Sequence, residues 1–128
     1  MTQFNQDRPI YLQISDRIMD EILAGNYADD ARIPSVRDYG ALLQVNTNTA
    51  VKAYDELSRA GIIYQRRGMG YFVTAGARDR ILAQRRELFV QTTLKNVFRE
   101  MELLNITIND VVSAFEHKDD AYCPISEQ

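Results

Sequence analysis

The chain has one cysteine, one histidine and no long apolar run, and each shortage excludes a class of protein. A single cysteine, Cys123, cannot form an internal disulfide. With His117 as the only histidine, the chain lacks the roughly four Cys or His ligands of a structural zinc site. No stretch reaches the roughly 18 apolar residues of a membrane span, and the first residues do not have the pattern of a secretory signal. We therefore expect a cytoplasmic protein without a bound metal.

Residues suited to catalysis are also scarce. The 128 residues make one standard domain, or a small domain with an appendage, whereas dehydrogenases, kinases and barrel enzymes need about 200 or more. His117 precedes a polar tail, and the acidic pairs 29–30 and 119–120 are typical of solvated loops. Gly68 and Gly70 are not followed by the helix that a phosphate loop requires. We expect neither an enzyme nor a cofactor.

Charge is distributed unevenly along the chain. The net charge is −3, but residues 31–95 carry +6 while residues 1–30 and 96–128 carry −4 and −5. A basic middle between acidic ends can form one positive face on an acidic protein. Chance fluctuation explains the same pattern, so the charge alone does not decide for a nucleic-acid partner.

Apolar periodicity and capping signals predict three helices before residue 62. The first spans residues 9–25, where isoleucine recurs every fourth position, and a polar connector over residues 26–34 follows it. Ser35, with Asp38 as capping-box partner, opens a short second helix. A break at Val45 and Asn46 leads into a third helix, which closes at Gly61.

A hairpin is predicted after these helices. Residues 62–66 and 71–75 are rich in β-branched and aromatic side chains, and two glycines between them supply the positive φ angles of a tight turn. Two helices separated by a tight break and followed by a ribbon describe a winged helix-turn-helix, whose second helix enters the DNA major groove. We predict a mainly α fold with a small β-hairpin: a winged helix-turn-helix domain over residues 1–76, then a two-helix dimerisation region with a frayed tail over residues 77–128.

Candidate DNA-contacting residues surround the start of the third helix. Small hydrogen-bonding side chains there fit a groove about 12 Å wide, although an N-cap and a solvated first turn explain the same residues. Nearby cations suit phosphate, and a glycine-containing wing tip suits close backbone contact. Tyr54, Tyr64, Tyr71 and Phe72 are expected to be packing residues. The candidates are Ser35, Arg37, Asn46, Thr47, Asn48, Thr49, Lys52, Arg66, Arg67, Gly68 and Gly70.

Several of these segments together resemble the DNA-binding domain of the GntR family of bacterial transcription regulators. They are IPSVRD at 33–38, VNTNT at 45–49, KAY at 52–54 and RRGMGYFV at 66–73. The resemblance covers residues 9–75 and implies DNA contact by Ser35, Arg37, residues 46–49, Lys52 and the wing around residues 67–70. Many members have arginine at the positions of Thr47 and Val51, so the resemblance implies no guanine-rich target here.

The C-terminal segment predicts the mode of assembly. Residues 77–104 contain no proline or glycine, and apolar residues from Leu94 to Ile108 follow a 3-4-3-4 spacing. This stripe packs against residues 108–115, against a second copy, or in part against both. Two helices cannot alone enclose a ligand pocket of about 300 Å³, so no effector is expected within one chain. The candidate dimerisation residues are Leu88, Leu94, Val97, Phe98, Met101 and Leu104.

The short helical tail is similar to that of the YtrA-like branch of the family, which implies dimerisation through this tail. The expected function is a homodimeric, sequence-specific regulator of double-stranded DNA that binds an inverted repeat. Repression is implied by the resemblance alone. The alternative is a winged-helix module that binds protein and not DNA.

Overall fold

The computed structural model describes residues 7–120, which are mainly helical with one antiparallel hairpin, as predicted. Residues 121–128 lie outside the described residues, and with them Cys123 and most of the tail predicted to fray. The elements are α1 (Ile10–Leu23), α2 (Val36–Leu43), α3 (Thr47–Arg59), β1 (Ile63–Arg66), β2 (Gly70–Val73), α4 (Ala77–Leu88), a π-helical turn (Phe89–Thr93), α5 (Leu94–Leu104) and α6 (Ile108–Glu116).

Side-chain caps fix where α2 and α3 begin. The Ser35 hydroxyl accepts a hydrogen bond from the backbone N–H of Asp38 at 3.1 Å, and Asn46 Oδ1 accepts one from the N–H of Asn48 at 2.8 Å. Each bond satisfies an N–H that has no partner inside the helix. Gln44 ends α2 in the left-handed conformation, with φ at 57°. This tight break sets the angle between the two helices.

The core lies between α1, α2, α3 and the hairpin. The isoleucine stripe of α1 is buried at Ile14, Ile18 and Ile22. Tyr54 of α3 is also fully buried, and its hydroxyl donates a 2.6 Å hydrogen bond to the carbonyl of Pro34. Because its polar end is satisfied, this large side chain is buried without leaving an unpaired group. The core therefore fixes one face of α3 and leaves its opposite face in solvent.

The chain divides into two compact units, with the division between Gln84 and Arg85. Ala77 and Ile81, in the first half of α4, are buried in the core of the first unit. The sequence placed the domain boundary after Gly76, because the change of pattern there is the first local signal. The buried residues of this core reach Ile81, five residues beyond Gly76.

The connector before α2 contributes a third strand-like segment to the hairpin. Asp30 N–H donates to the Val73 carbonyl at 2.8 Å, Val73 N–H to Ala31 at 2.9 Å, and Ile33 N–H to Tyr71 at 3.0 Å. Arg32 forms a bridge with Phe72. Since the hydrogen bonds come from β2, a segment too short to show alternation in the sequence is ordered by its tertiary partner.

The second unit has regular helices without a core. None of the residues of α5 or α6 is buried. A full capping box opens α6, where Thr107 and Asp110 each bond the other's backbone N–H. The π-helical turn interrupts the helix predicted over residues 77–104. Three of its five residues, Val90, Thr92 and Thr93, are β-branched, which lowers helix propensity.

Within residues 7–120, every helix is too short or too polar to span a lipid bilayer.

In the second unit, an open depression of about 410 Å³ lies at the turn between α5 and α6. It is lined by Met101, Glu102, Asn105, Ile106 and Thr107. The depression is not an enclosed cavity of the kind that buries most of a ligand's surface.

Candidate nucleic-acid interface

The start of α3 presents small polar side chains to solvent. Thr47 and Asn48 are exposed and Thr49 is half-buried, whereas Ala50 and Ala53 are fully buried on the other side of the helix. Within residues 7–120, the side chains of Thr47 and Asn48 make no hydrogen bond. Their donors and acceptors are therefore available to a ligand that approaches this end of the helix.

Asn46 has the capping role that was the alternative to DNA contact. Its Oδ1 is engaged by the Asn48 N–H, so its first role is to begin α3. The side chain is nevertheless exposed. Ser35 has the equivalent role at α2 and is half-buried.

Arg37 shares a face of α2 with Gly40, which packs against α3. Gly40, one turn further along α2, is close-packed against α3, and a Cβ there would lie 3.6 Å from Ala50 and 3.9 Å from Thr47. Residues three apart share a helix face, so Arg37 extends from the side of α2 that meets α3. Its side chain is exposed and has no ion-pair partner among residues 7–120.

Lys52 continues the exposed face of α3 and is held by an aromatic ring. Its Nζ lies 4.3 Å from the centre of the Tyr11 ring on α1. Such a cation–π contact contributes about 0.5–1 kcal/mol at an exposed site. It holds the ammonium group on the side of α3 next to α1. The neighbouring Val51 is also exposed.

The wing tip is a three-residue turn with an exposed cation. Met69 N–H donates to the Arg66 carbonyl at 2.9 Å, and Gly68 and Gly70 have φ angles of 76° and 102°. Only glycine adopts these conformations without strain. Arg67 and Met69 are exposed at the tip, and Met69 was not among the predicted contact residues.

The aromatic residues predicted to be packing residues divide between two faces of the wing. Tyr54 and Tyr71 meet edge to face at 5.0 Å on the inner side. Tyr64 and Phe72 stack at 5.7 Å on the other face and are only half-buried. The Arg66 guanidinium lies 5.2 Å from the Phe72 ring, so this predicted site residue rests on an aromatic surface.

Arg32 lies at the wing, although its position in the sequence predicted a polar connector. If Gly70 had a Cβ, it would lie 3.3 Å from Arg32 Nε and 3.6 Å from Nη2. The guanidinium therefore rests against the backbone of β2. The signal in the sequence is weak, because it consists of a single arginine directly before Ile33 in a polar connector.

The buried tyrosines beneath the site remain neutral. Burial, and after it the negative charge of Glu21, together raise the pKa of Tyr39 to about 12. Burial also raises the pKa of Tyr54. The main cause of both raised pKa values is desolvation, which disfavours the charged form of the tyrosine. These shifts mark a dry scaffold under α3 and not a titrating site.

Among residues 7–120 no three His, Cys, Asp or Glu side chains are grouped so that they could hold a metal ion. The features that the first unit does present are a polar helix start, exposed cations beside it and a basic wing. A helix-turn-helix with these features defines a winged-helix DNA-binding protein.

Comparison with known proteins agrees with this class. Residues 10–73 match the family model of bacterial regulatory proteins of the gntR family. The HTH-type transcriptional regulator YhcF of Bacillus subtilis is 30% identical over 114 residues, which cover 89% of this chain and 93% of YhcF. The HTH-type transcriptional repressor YtrA of the same organism is 36% identical over 74 residues, covering 58% of this chain and 57% of YtrA.

Solved structures give the same result. A GntR-family regulator from Bacteroides thetaiotaomicron superposes with a TM-score of 0.70 at 39% identity, covering 86% of this chain and 96% of that one. The DNA-binding domain of AraR in complex with operator ORX1 superposes with a TM-score of 0.51 at 27% identity, covering 58% of this chain and 90% of that one.

The chain belongs to the GntR family. It is a transcriptional regulator whose winged helix-turn-helix is its DNA-binding part. The predicted resemblance to YtrA is confirmed as a similarity in sequence.

Proposed function

We propose that this chain is a bacterial transcriptional repressor that binds an inverted-repeat operator in duplex DNA as a homodimer. One observation carries the proposal: the exposed polar start of α3 is flanked by Arg37 and Lys52, neither of which has an ion-pair partner within residues 7–120. A surface of unpaired cations beside hydrogen-bonding side chains suits phosphates beside base edges. Because this target is chromosomal, the proposed compartment is the cytoplasm.

The proposed contacts follow from the placement of each residue. The first turn of α3 enters the major groove, where Asn48 and Thr49 contact base edges and Thr47 contacts a base or the adjacent phosphate. Arg37, Lys52 and the N-terminus of α2 at Ser35 bind phosphates on either side. The wing, through Arg66, Arg67, Gly68 and Gly70, contacts the backbone or the minor groove next to it.

The second unit supports the dimer. Its helices expose apolar side chains, among them the predicted dimerisation residues Val97, Phe98 and Leu104, while Leu94 and Met101 are half-buried. A single winged helix covers only about 600–1,000 Å² of DNA. Two copies related by a two-fold axis contact two half-sites about one helical turn apart. The dimer therefore makes twice as many DNA contacts as one copy.

Repression follows from occupying a promoter and blocking polymerase. The support is the similarity to YtrA of Bacillus subtilis, which is named a transcriptional repressor.

The charge contribution is tested with the double variant Arg37→Ala/Lys52→Ala. We expect weaker binding to every duplex, and a log Kd against log salt slope lower by about two per half-site, since each phosphate contact contributes about 0.9. The control Arg59→Ala/Arg86→Ala removes two positive charges outside the proposed interface. If the first variant bound a selected duplex as tightly as wild type at all salt concentrations, the interface would be wrongly placed.

The base contacts are tested with Asn48→Ala. Loss of a direct base contact should relax the preference at one position by about 1–3 kcal/mol and leave the salt slope unchanged. An unchanged preference would exclude Asn48 from base recognition. A wild-type protein that bound no duplex, while capturing protein partners with a flat salt dependence, would favour the protein-interaction module.

A further inference from the structure

The three-segment wing has an inner and an outer face. In an antiparallel ladder, residues directly opposite each other point to the same side of the sheet. Arg32 pairs with Phe72, and Phe72 pairs with Tyr64. The alternate residues, Ile33 and Val73 among them, are buried towards the core. Arg32 therefore lies on the outer face, with Tyr64 and Phe72.

Arg66 and Gly70 share this outer face. Arg66 pairs with Gly70 and lies two residues from Tyr64, so it alternates onto the same side. The Arg66 guanidinium lies over Phe72 at 5.2 Å, while that of Arg32 lies against Gly70. Two guanidinium groups are thus held on β2 from its two neighbouring segments.

Arg32 has no acidic partner in the described part of the chain. Asp30, the acidic residue closest to it in sequence, accepts the hydroxyl hydrogen bond of Tyr64 at 2.8 Å. Asp29 accepts the N–H of Gly76 at 3.2 Å. Arg32 is exposed and forms no ion pair among residues 7–120. An arginine held in place yet left unpaired retains its hydrogen-bonding fork for an external anion.

We infer that Arg32 binds a phosphodiester of the operator backbone from the outer face of the wing, next to Arg66, and that Gly70 lacks a side chain so that the Arg32 guanidinium can lie there. This inference rests on the proposed DNA-binding function. It changes the role predicted for Gly70, whose open side is occupied by Arg32 instead of by DNA. It also adds to the interface a residue that precedes the helix-turn-helix in the chain.

The first test compares Arg32→Ala with Arg59→Ala on a duplex selected by the wild-type protein. Arg59 lies at the far end of α3, about 18 Å along the helix from its first turn, and its loss removes the same charge. We expect Arg32→Ala to weaken binding roughly tenfold on every sequence and to lower the salt slope by about one per half-site. We expect Arg32→Lys to recover the slope but only part of the affinity, because an ammonium lacks the planar fork.

The second test addresses the role of Gly70. Gly70→Ala should weaken DNA binding by less than Arg32→Ala, because the new methyl group would lie 3.3 Å from Arg32 Nε and displace the guanidinium without removing its charge. Gly25→Ala is the matched control for backbone strain, since Gly25 also has a positive φ, 87°, but nothing lies within 4 Å of its Cβ position. Circular dichroism confirms that both variants fold. In the Arg32→Ala background, Gly70→Ala should have little further effect on binding.

The outcomes separate the inference from the function on which it rests. If the wild-type chain binds no duplex, the proposed function fails. If the wild-type chain binds and Arg32→Ala matches Arg59→Ala in affinity and salt slope, only the inference fails. A loss by Arg32→Ala that is confined to particular base pairs would also overturn it, because it would indicate a base-edge contact and not a phosphate contact.

Discussion

The two units of the chain differ in where their large apolar side chains lie. In the first unit, Ile14, Ile62 and Ile81 are fully buried. In the second, α5 and α6 have no buried residue, and Phe98, Leu104 and Phe115 are 47%, 66% and 65% exposed. The helices of both units are amphipathic, so amphipathicity alone does not make a core. A core also needs a surface on the other side of the apolar stripe.

This difference explains the division of labour that we propose. The first unit is closed around its own core and can hold α3 and the wing rigidly against a ligand. The apolar residues of the second unit gain the roughly 1.5–3 kcal/mol of a buried side chain only when another surface covers them. Contiguous exposed apolar patches of this kind mark interaction sites. We propose a second copy of the chain as the partner that covers them, because the proposed inverted-repeat operator has two-fold symmetry.

Damage to the core of the first unit should have the largest effect on stability. Leu57→Ala should lower its free energy of unfolding by about 3–4 kcal/mol, because Leu57 is buried and its loss leaves a cavity. Urea denaturation measures the change. Leu103→Ala is the matched substitution in the second unit, at a side chain 76% exposed, and should cost less than about 0.5 kcal/mol. Equal costs would contradict the difference in burial.

The next prediction addresses what covers the second unit. Phe98→Asp should weaken dimerisation by about 3 kcal/mol, roughly a hundredfold or more in Kd, because a charge would be buried in the interface. Size-exclusion chromatography coupled to light scattering, over a range of protein concentrations, measures the mass of the species in solution. Leu103→Asp is the control, since Leu103 lies on the side of α5 opposite Leu94. A wild-type chain that stays monomeric at every concentration would contradict the proposal.

A pH titration tests the burial of Tyr39 in the core of the first unit. The pKa of Tyr39 is about 12 in the folded chain and about 10 when unfolded. Because the pKa is raised, the folded state holds the Tyr39 proton more tightly than the unfolded state does. The resulting stability of about 2–3 kcal/mol is fully present below pH 10 and is lost as the pH rises towards 12. Urea denaturation from pH 8 to 12 should show the loss. Tyr39→Phe should reduce it and leave the share that comes from Tyr54.

The smallest predicted effect concerns the helix caps. Asn46→Ala should cost the first unit about 1 kcal/mol, because the Asn48 N–H loses its acceptor, while Asn46→Asp should retain the cap and the stability. Thr107→Ala removes the equivalent bond in the second unit. We expect the second change to lower helicity measured by circular dichroism without moving the unfolding midpoint of the first unit. A shift of that midpoint would show that the two units unfold together.

The sequence predicted those parts of the fold whose signals are local. The α1 stripe, the caps at Ser35 and Asn46 and the glycines of the wing each act within a few residues, and the structure confirms them. The strand-like segment at residues 30–33 was missed, because its hydrogen bonds come from β2, about 40 residues later in the chain. The π-helical turn was missed because no proline or glycine marks it.

The candidate site was predictable in its residue types but not in its geometry. The polar start of α3 and the cations of the wing are visible in the sequence, yet the position of Lys52 over Tyr11 depends on how α1 packs. Arg32 joins the wing only through strand pairing. An apolar stripe likewise shows which side chains seek cover, whereas the partner that covers them is not encoded in its spacing.

Selection from a random duplex pool with the 128-residue chain tests whether it binds a two-fold DNA site as a dimer. The mass of the bound complex is then measured on the winning duplex. We predict an enriched inverted repeat, with half-sites about one helical turn apart and two chains bound. No enrichment over the starting pool, or a single asymmetric site occupied by one chain, would contradict it.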